Sequence, residues 1–268
     1  MRIKYIVIVV VVLLALFGFL LLPYDPNEII AAKYLPPSWQ HVFGTDYLGR
    51  DLFSRVVQAT LAGAVTILGA VVVGTVAGFL YGCYAGYKGG MAKRLLLSGL
   101  NIFDSIPDFL LAIALLLLFA TIPGVGSMAG LFIVAVLVSW TPIARIVANE
   151  TSQQMSRGYI RYAAANGAGW WHITKFHLVP LLKDNLLIIA IQKVPSLILI
   201  SAFLGFIGVG FQPPEANLGK MISEGSIVFR AYPHVLFFPM IFLIILAQIF
   251  AIGGHLLKQK KEKTDRTR

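Results

Sequence analysis

Residues 59–86 read ATLAGAVTILGAVVVGTVAGFLYGCYAG, without one Asp, Glu, Lys, Arg or His. About 20 consecutive apolar residues cross the hydrocarbon core of a bilayer, so this stretch is predicted to be a transmembrane helix. Along it Thr66, Ala70, Gly74, Gly78, Gly82 and Gly86 recur every fourth residue. Positions i and i+4 share a helix face, which makes a groove of small residues where another helix backbone can approach closely. That groove suits packing within this chain, or against a partner subunit.

Working outward, the same reading extends over most of the 268 residues, of which 58% are hydrophobic and 13% charged. An average soluble domain carries roughly 25% charged residues, and a water-facing surface cannot be built from so few. Apolar runs at about Tyr5–Leu22, Ala59–Tyr84, Leu95–Ala120, Ala129–Val147, Leu186–Phe211 and Val235–Leu257 predict an all-α polytopic membrane protein with six transmembrane helices. Membrane-spanning strands, of about 10 alternating residues, would not give such runs. Residues 1–22 read as an uncleaved anchor helix, because Pro23-Tyr24-Asp25 offers no small-residue cleavage site. An outer loop over 23–58 and a five-span core over 59–268 complete the expected domain plan, with a long inner loop over 150–183 between the fourth and fifth spans.

The net charge of +10 would raise the question of nucleic acid in a soluble protein. Here its distribution matters more. With the N-terminus inside, Lys88, Lys93, Arg94, Arg145, Arg157, Arg161, Lys175, Lys183 and the basic tail from Lys258 fall on one side. The other side keeps only Lys33, Arg50, Arg55, Lys220 and Arg230. This asymmetry places both termini in the cytoplasm by the positive-inside rule; it suits anionic lipid and needs no nucleic acid.

Catalysis finds no footing. There is no His-Glu-x-x-His, no Gly-x-Ser-x-Gly and no Gly-x-x-x-x-Gly-Lys-Ser/Thr. The histidines are scattered and Cys83 stands alone, so neither a metal site nor a disulfide is expected. Any ATP must be bound by another chain.

Two polar features stand out. Asn101, Asp104, Ser105 and Asp108, spaced i, i+3, i+4 and i+7, form one polar stripe, and counted from Leu95 the two carboxylates are expected about 14 and 20 Å into the membrane. Intramembrane carboxylates usually face a water-filled cavity or a cation. Lys193 is the expected cation, paired with Asp104 or Asp108 beside a pathway or as a structural link. The second feature is the inner segment 156–180. Arg161-Tyr162-Ala163-Ala164-Ala165 favours a short helix, Gly167 and Gly169 can stop it, Trp170-Trp171 can anchor the next segment at the interface, and Pro180 is expected to end the approach to the next span.

Four stretches give these features a family likeness. Phe43-Gly44-Thr45-Asp46-Tyr47-Leu48-Gly49-Arg50-Asp51, Asp104-Ser105-Ile106-Pro107, the segment Tyr159–Pro180, and Gly208-Val209-Gly210-Phe211-Gln212-Pro213-Pro214 occur in that order. The chain resembles the permease subunits of binding-protein-dependent ABC importers, in the dipeptide, oligopeptide and nickel branch, and is most like the C-type subunit of the pair. The resemblance implies a bacterial plasma-membrane location, a second homologous permease as partner in a heterodimer, two ABC ATPase subunits and an extracytoplasmic substrate-binding protein. Peptides are the implied cargo, with nickel or a metal chelate as the alternative; an ion-coupled secondary transporter is the rival outside the family. The inner loop is similar to the family's coupling motif, matching at Ala163, Ala165, Gly167, Ala168, Ile173, His177 and Pro180. It departs at Arg161, where the motif has glutamate, and at Tyr162 and Asn166. In the fifth span, Ser201 and Gly205 stand where members often have glutamate and serine, so a polar contact is expected to be missing. Asp51 reads as a helix N-cap or as part of a partner contact, with Gly44 and Gly49 as turn formers.

Overall fold

The structure is a computed structural model that describes residues 22–122, 125–209, 211 and 214–266. The expected first span lies outside the described residues. Within them the chain forms helices α1 (Leu52–Lys88), α2 (Gly90–Asp104), α3 (Asp108–Ala120), α4 (Ser127–Met155), α5 (Gly158–Ala165), α6 (Trp170–Phe206), α7 (Leu218–Val228) and α8 (Pro233–Arg266). Four of these, α1, α4, α6 and α8, are long and apolar enough to cross a membrane, and α2 with α3 makes a fifth if the pair is one span.

The glycine face of α1 is filled by α4 of the same chain. A Cβ on Gly74 would stand 2.2 Å from Ser139 Oγ, on Gly78 2.6 Å from the Trp140 carbonyl, on Gly82 2.5 Å from the Ala144 carbonyl, and on Gly86 2.6 Å from Thr151 Cβ. Two residues along a helix turn through about 200°, so the opposite face presents Val72, Val76 and Leu80, all exposed. One face admits a backbone and the other suits lipid tails, which is why the run is apolar all round.

The third span is not straight. α2 and α3 meet at 81° across Ser105-Ile106-Pro107. Proline has no N–H to donate, its ring clashes with the carbonyl four residues back, and the residue before it is steered out of the helical region. α2 accordingly closes with the Ser105 amide on the Asn101 carbonyl (2.9 Å), and α3 opens with the amides of Leu110 and Leu111 on the Pro107 carbonyl (2.9 and 3.1 Å). The single polar stripe and the axial depths expected for Asp104 and Asp108 do not survive this bend.

Pro180 does not end anything: α6 runs through it from Trp170 to Phe206. A π-helical turn at Thr174–Leu178 precedes it. One widened turn lets the backbone pass a residue that cannot make the regular bond. The expected hydrophilic segment after the fifth span also holds a helix, α7, capped by Asn217, whose side chain accepts from the amides of Gly219 (2.8 Å) and Lys220 (3.2 Å). The contact expected to be missing near Ser201 is replaced, since Asn217 Nδ2 donates to Ser201 Oγ (3.3 Å). Gly205 makes room for it: a Cβ there would meet Asn217 Oδ1 at 1.9 Å.

Candidate functional site

The surface around the α2–α3 break gathers the polar residues of the spans. Arg145 of α4 reaches the break, donating through Nη2 to Asn101 Oδ1 (2.9 Å) and pairing with Asp104 through the same nitrogen, while Thr141 Oγ1 donates to Asp104 (3.1 Å). On the other side of Pro107, Lys193 of α6 lies 3.6 Å from Asp108. Lys193 thus pairs with Asp108 and not with Asp104. Arg145, grouped with the cytoplasmic charges in the sequence, supplies the fourth charge and makes the cluster neutral. Two ion pairs therefore hold the two sides of the bend to two different helices.

Every residue from Asn101 to Leu110 is exposed in the single chain. Phe103, Ile106, Phe109 and Leu110 stand there beside the carboxylates. A mixed apolar and charged face of this kind in a membrane protein is suited to water on one side and a protein neighbour on the other. Among the described residues no group of three or more His, Cys, Asp or Glu could hold a metal ion.

At one end of the bundle α5 and the first turn of α6 form a short projection. Ile160 and Ile173, both 0% exposed, are inserted into a cluster with Phe79, Cys83, Ile143, Val147, Leu178 and Leu182. Arg161, Tyr162, Ala164, Ala165, Asn166 and Gly167 face outward, Tyr162 with 74% of its surface exposed, whereas Ala163 and Ala168 are half-buried. Gly167, at φ 87°, turns the chain in the left-handed region that glycine alone adopts freely, and the Ala168 amide closes the turn on the Ala163 carbonyl (3.0 Å). Trp170 packs edge-on against Tyr84 of α1 (5.8 Å between centroids). Ile160 carries only a faint signal in the sequence, that of a lone β-branched residue in an otherwise small and polar helix.

The opposite end is braced by the Gly44–Asp51 turn. Asp46 is buried, accepts from the amides of Leu48 (2.8 Å) and Arg50 (3.0 Å), and pairs with Arg50 (2.7 Å) and Arg55 (3.4 Å). Asp51 caps α1 through the Ser54 amide (2.8 Å) and meets His41 Nδ1 (3.1 Å). These polar groups are spent inside the chain, which favours the bracing role over a partner contact. Gly44 and Gly49 have φ of 78° and 86°. The last motif, 208–214, is described only at Gly208, Val209, Phe211 and Pro214.

Half-buried Glu224 of α7 faces this brace, and burial pushes its carboxyl above the ordinary value although Arg55 and Lys220 pull it down. The folded state therefore holds the carboxyl proton more tightly than the unfolded chain does. Its contribution to stability is complete below the ordinary carboxylate range and is lost as pH rises through the raised value. Glu224→Gln should melt with the parent near pH 4 and above it at pH 8, as read by thermal unfolding in detergent.

Residues 74–260 match the family described as "Binding-protein-dependent transport system inner membrane component". The chain is 35% identical over 225 residues to the probable D,D-dipeptide transport system permease protein DdpC of Escherichia coli (strain K12), covering 82% of this chain and 72% of that one. It is 31% identical over 259 residues to the oligopeptide transport system permease protein OppC of Bacillus subtilis (strain 168), covering 94% and 82%. Among solved structures, an inward-facing form of the MetNI methionine ABC transporter superposes with a TM-score of 0.59 at 24% identity, over 78% of this chain and 95% of that one, a likeness of fold. By the match over residues 74–260 and the likeness to these permeases over most of its length, the chain is a member of the binding-protein-dependent inner-membrane transport component family, a permease subunit of the bacterial plasma membrane.

Proposed function

We propose that this chain is one of two permease subunits of an ATP-driven peptide importer, and that α5 passes the motion of a separate cytoplasmic ATPase to the bundle. The observation that supports this best is the construction of α5: one face exposed for a partner, the other locked by Ile160 among α1, α4 and α6. A force applied to the outward face would move three long helices together. The permeases named above, similar over most of this chain, carry dipeptide and oligopeptide transport in their names, and this supports peptide as cargo.

In this reading the α5 end lies in the cytoplasm, where Lys88, Lys93, Arg94, Arg157, Arg161 and Lys175 agree with the positive-inside rule. The exposed face Asn101–Leu110 lies toward the pathway and a homologous second permease. A binding protein delivers substrate at the Asp51 end, and two ATPases alternate the access of the pathway. Cofactors are none in this subunit, ATP being held by the ATPases.

Ala165→Cys, on the exposed face, should cross-link to the co-expressed ATPase subunit; no cross-link in the intact complex would refute the coupling role. Ile160→Asp sets a carboxylate among apolar side chains, at a cost of several kcal/mol. ATP-driven uptake in vesicles should fall by at least about ten-fold, with the ATPase still bound. Substrate is read from what the associated binding protein retains: peptide supports the proposal, and nickel or a metal chelate overturns that part of it.

A further inference from the structure

Between the α1–α2 turn, the end of α4 and Arg161 of α5 lies an open groove of about 590 Å³. Ligand sites commonly occupy roughly 300–1,000 Å³. Its charged wall is Lys93, Arg94 and Arg161, no Asp or Glu lines it, and the Ser152 and Ser156 hydroxyls there already donate to backbone carbonyls. None of the three cations takes part in an ion pair among the described residues. Like charges converging without a counter-charge repel one another, so the wall is arranged for an anion that the chain does not supply.

The backbone contributes as well. Gly89 and Gly90, at φ 64° and 50°, line the groove with no side chain and with open space above them. α2 begins at Gly90 with no side-chain cap, so its first amides remain free. The ends of α1 (Gly86, Tyr87) and α4 (Met155, Ser156) line the same groove and offset that helix start, so the net positive charge is that of the three side chains. The rim decides which anion. Met91 and Leu95, each 68% exposed, stand one turn apart on α2 beside Arg94. Apolar side chains next to a basic pocket at the edge of the spans suit an acyl chain below a phosphate.

We infer that this groove is a binding site for the phosphate headgroup of an anionic phospholipid of the cytoplasmic leaflet, held by Lys93, Arg94, Arg161 and the α2 N-terminus. The inference rests on the cytoplasmic placement of the α5 end. Lipid bound here bridges the α1–α2 turn to α5, and so links membrane composition to the coupling projection.

The test titrates the full chain in neutral detergent with dioctanoyl phosphatidylglycerol, dioctanoyl phosphatidylcholine and inorganic phosphate, counting bound molecules by native mass spectrometry. Phosphatidylglycerol should bind in preference to both others, and the triple variant Lys93→Gln, Arg94→Gln, Arg161→Gln should bind it at least about ten-fold more weakly. A tail variant with Lys258, Lys260 and Lys261 each changed to Gln should bind within about two-fold of the parent. Equal weakening in both variants, no weakening in either, or phosphate binding as tightly as phosphatidylglycerol overturns the lipid site. If the triple variant does not fold, Arg161→Gln alone, at an exposed position, should weaken binding and no effect counts against the site. Displacement of the lipid whenever the ATPase is bound assigns the pocket to a protein carboxylate and also overturns it. Ser156→Cys separates the two readings: labelling by an impermeant maleimide from the periplasmic side refutes the orientation, whatever the lipid titration gives.

Discussion

Gly82→Leu is expected to remove most of the folded protein from the membrane. A Cβ at Gly82 already falls 2.5 Å from the Ala144 carbonyl and 2.7 Å from Val147 Cβ. The first obstacle is backbone, so no rotamer change relieves it and α1 must separate from α4. Overpacking that neighbouring side chains can absorb costs about 1–3 kcal/mol, and here the α1–α4 contact itself is forfeited in addition. In a bilayer the loss is felt in full, because lipid tails solvate apolar side chains as well as Leu does and helix association depends on close packing. Against a net stability of roughly 5–15 kcal/mol, the expected result is a several-fold drop in monodisperse protein after detergent extraction. Gly63→Leu on the same helix is the control. Nothing lies within 4 Å of the Cβ that Gly63 would carry, so recovery should match the parent.

The second large effect concerns which charge swaps rescue transport. Lys193→Asp should lower uptake by about ten-fold or more. Like charges about 4 Å apart repel by roughly 4 kcal/mol at an effective dielectric of about 20, and solvent at these partly exposed side chains screens part of that. The remainder need only exceed about 1.4 kcal/mol for a ten-fold loss. Asp108→Lys should restore uptake in the Lys193→Asp background, because the two side chains face each other at 3.6 Å. Asp104→Lys should not, because Asp104 is held by Arg145 and Thr141. In turn, Arg145→Asp should be rescued by Asp104→Arg. Rescue of Lys193→Asp by either carboxylate swap alike would mean that the cluster acts as a diffuse charge and not as two pairs.

Arg145 marks the difference between what a sequence can and cannot disclose. Its place near the end of an apolar run makes it an interfacial cation by hydropathy. Its partner lies 41 residues away, and the proximity arises from how α4 crosses α2. Pro107 is the converse case: the bend is written in one residue whose missing N–H and ring clash act locally, and a hydropathy window averages over it. Pro180 shows that such a local rule can be overruled, since one widened turn carries α6 past it.

By itself the sequence determined the chemistry of the surroundings. Few charges and long apolar runs fix a helical membrane protein, because the cost of burying a polar group in hydrocarbon depends on residue type and needs no fold to evaluate. It also determined the small-residue face of α1, set by spacing within one helix, and offered the Asp51 cap as one of two readings. Tertiary structure alone decided what meets those faces: that α4 fills the glycine groove, that Asp104 and Asp108 choose different cations, and that Ile160 locks α5 to the bundle. These are contacts between segments distant in the chain, and their geometry comes from packing all the helices at once.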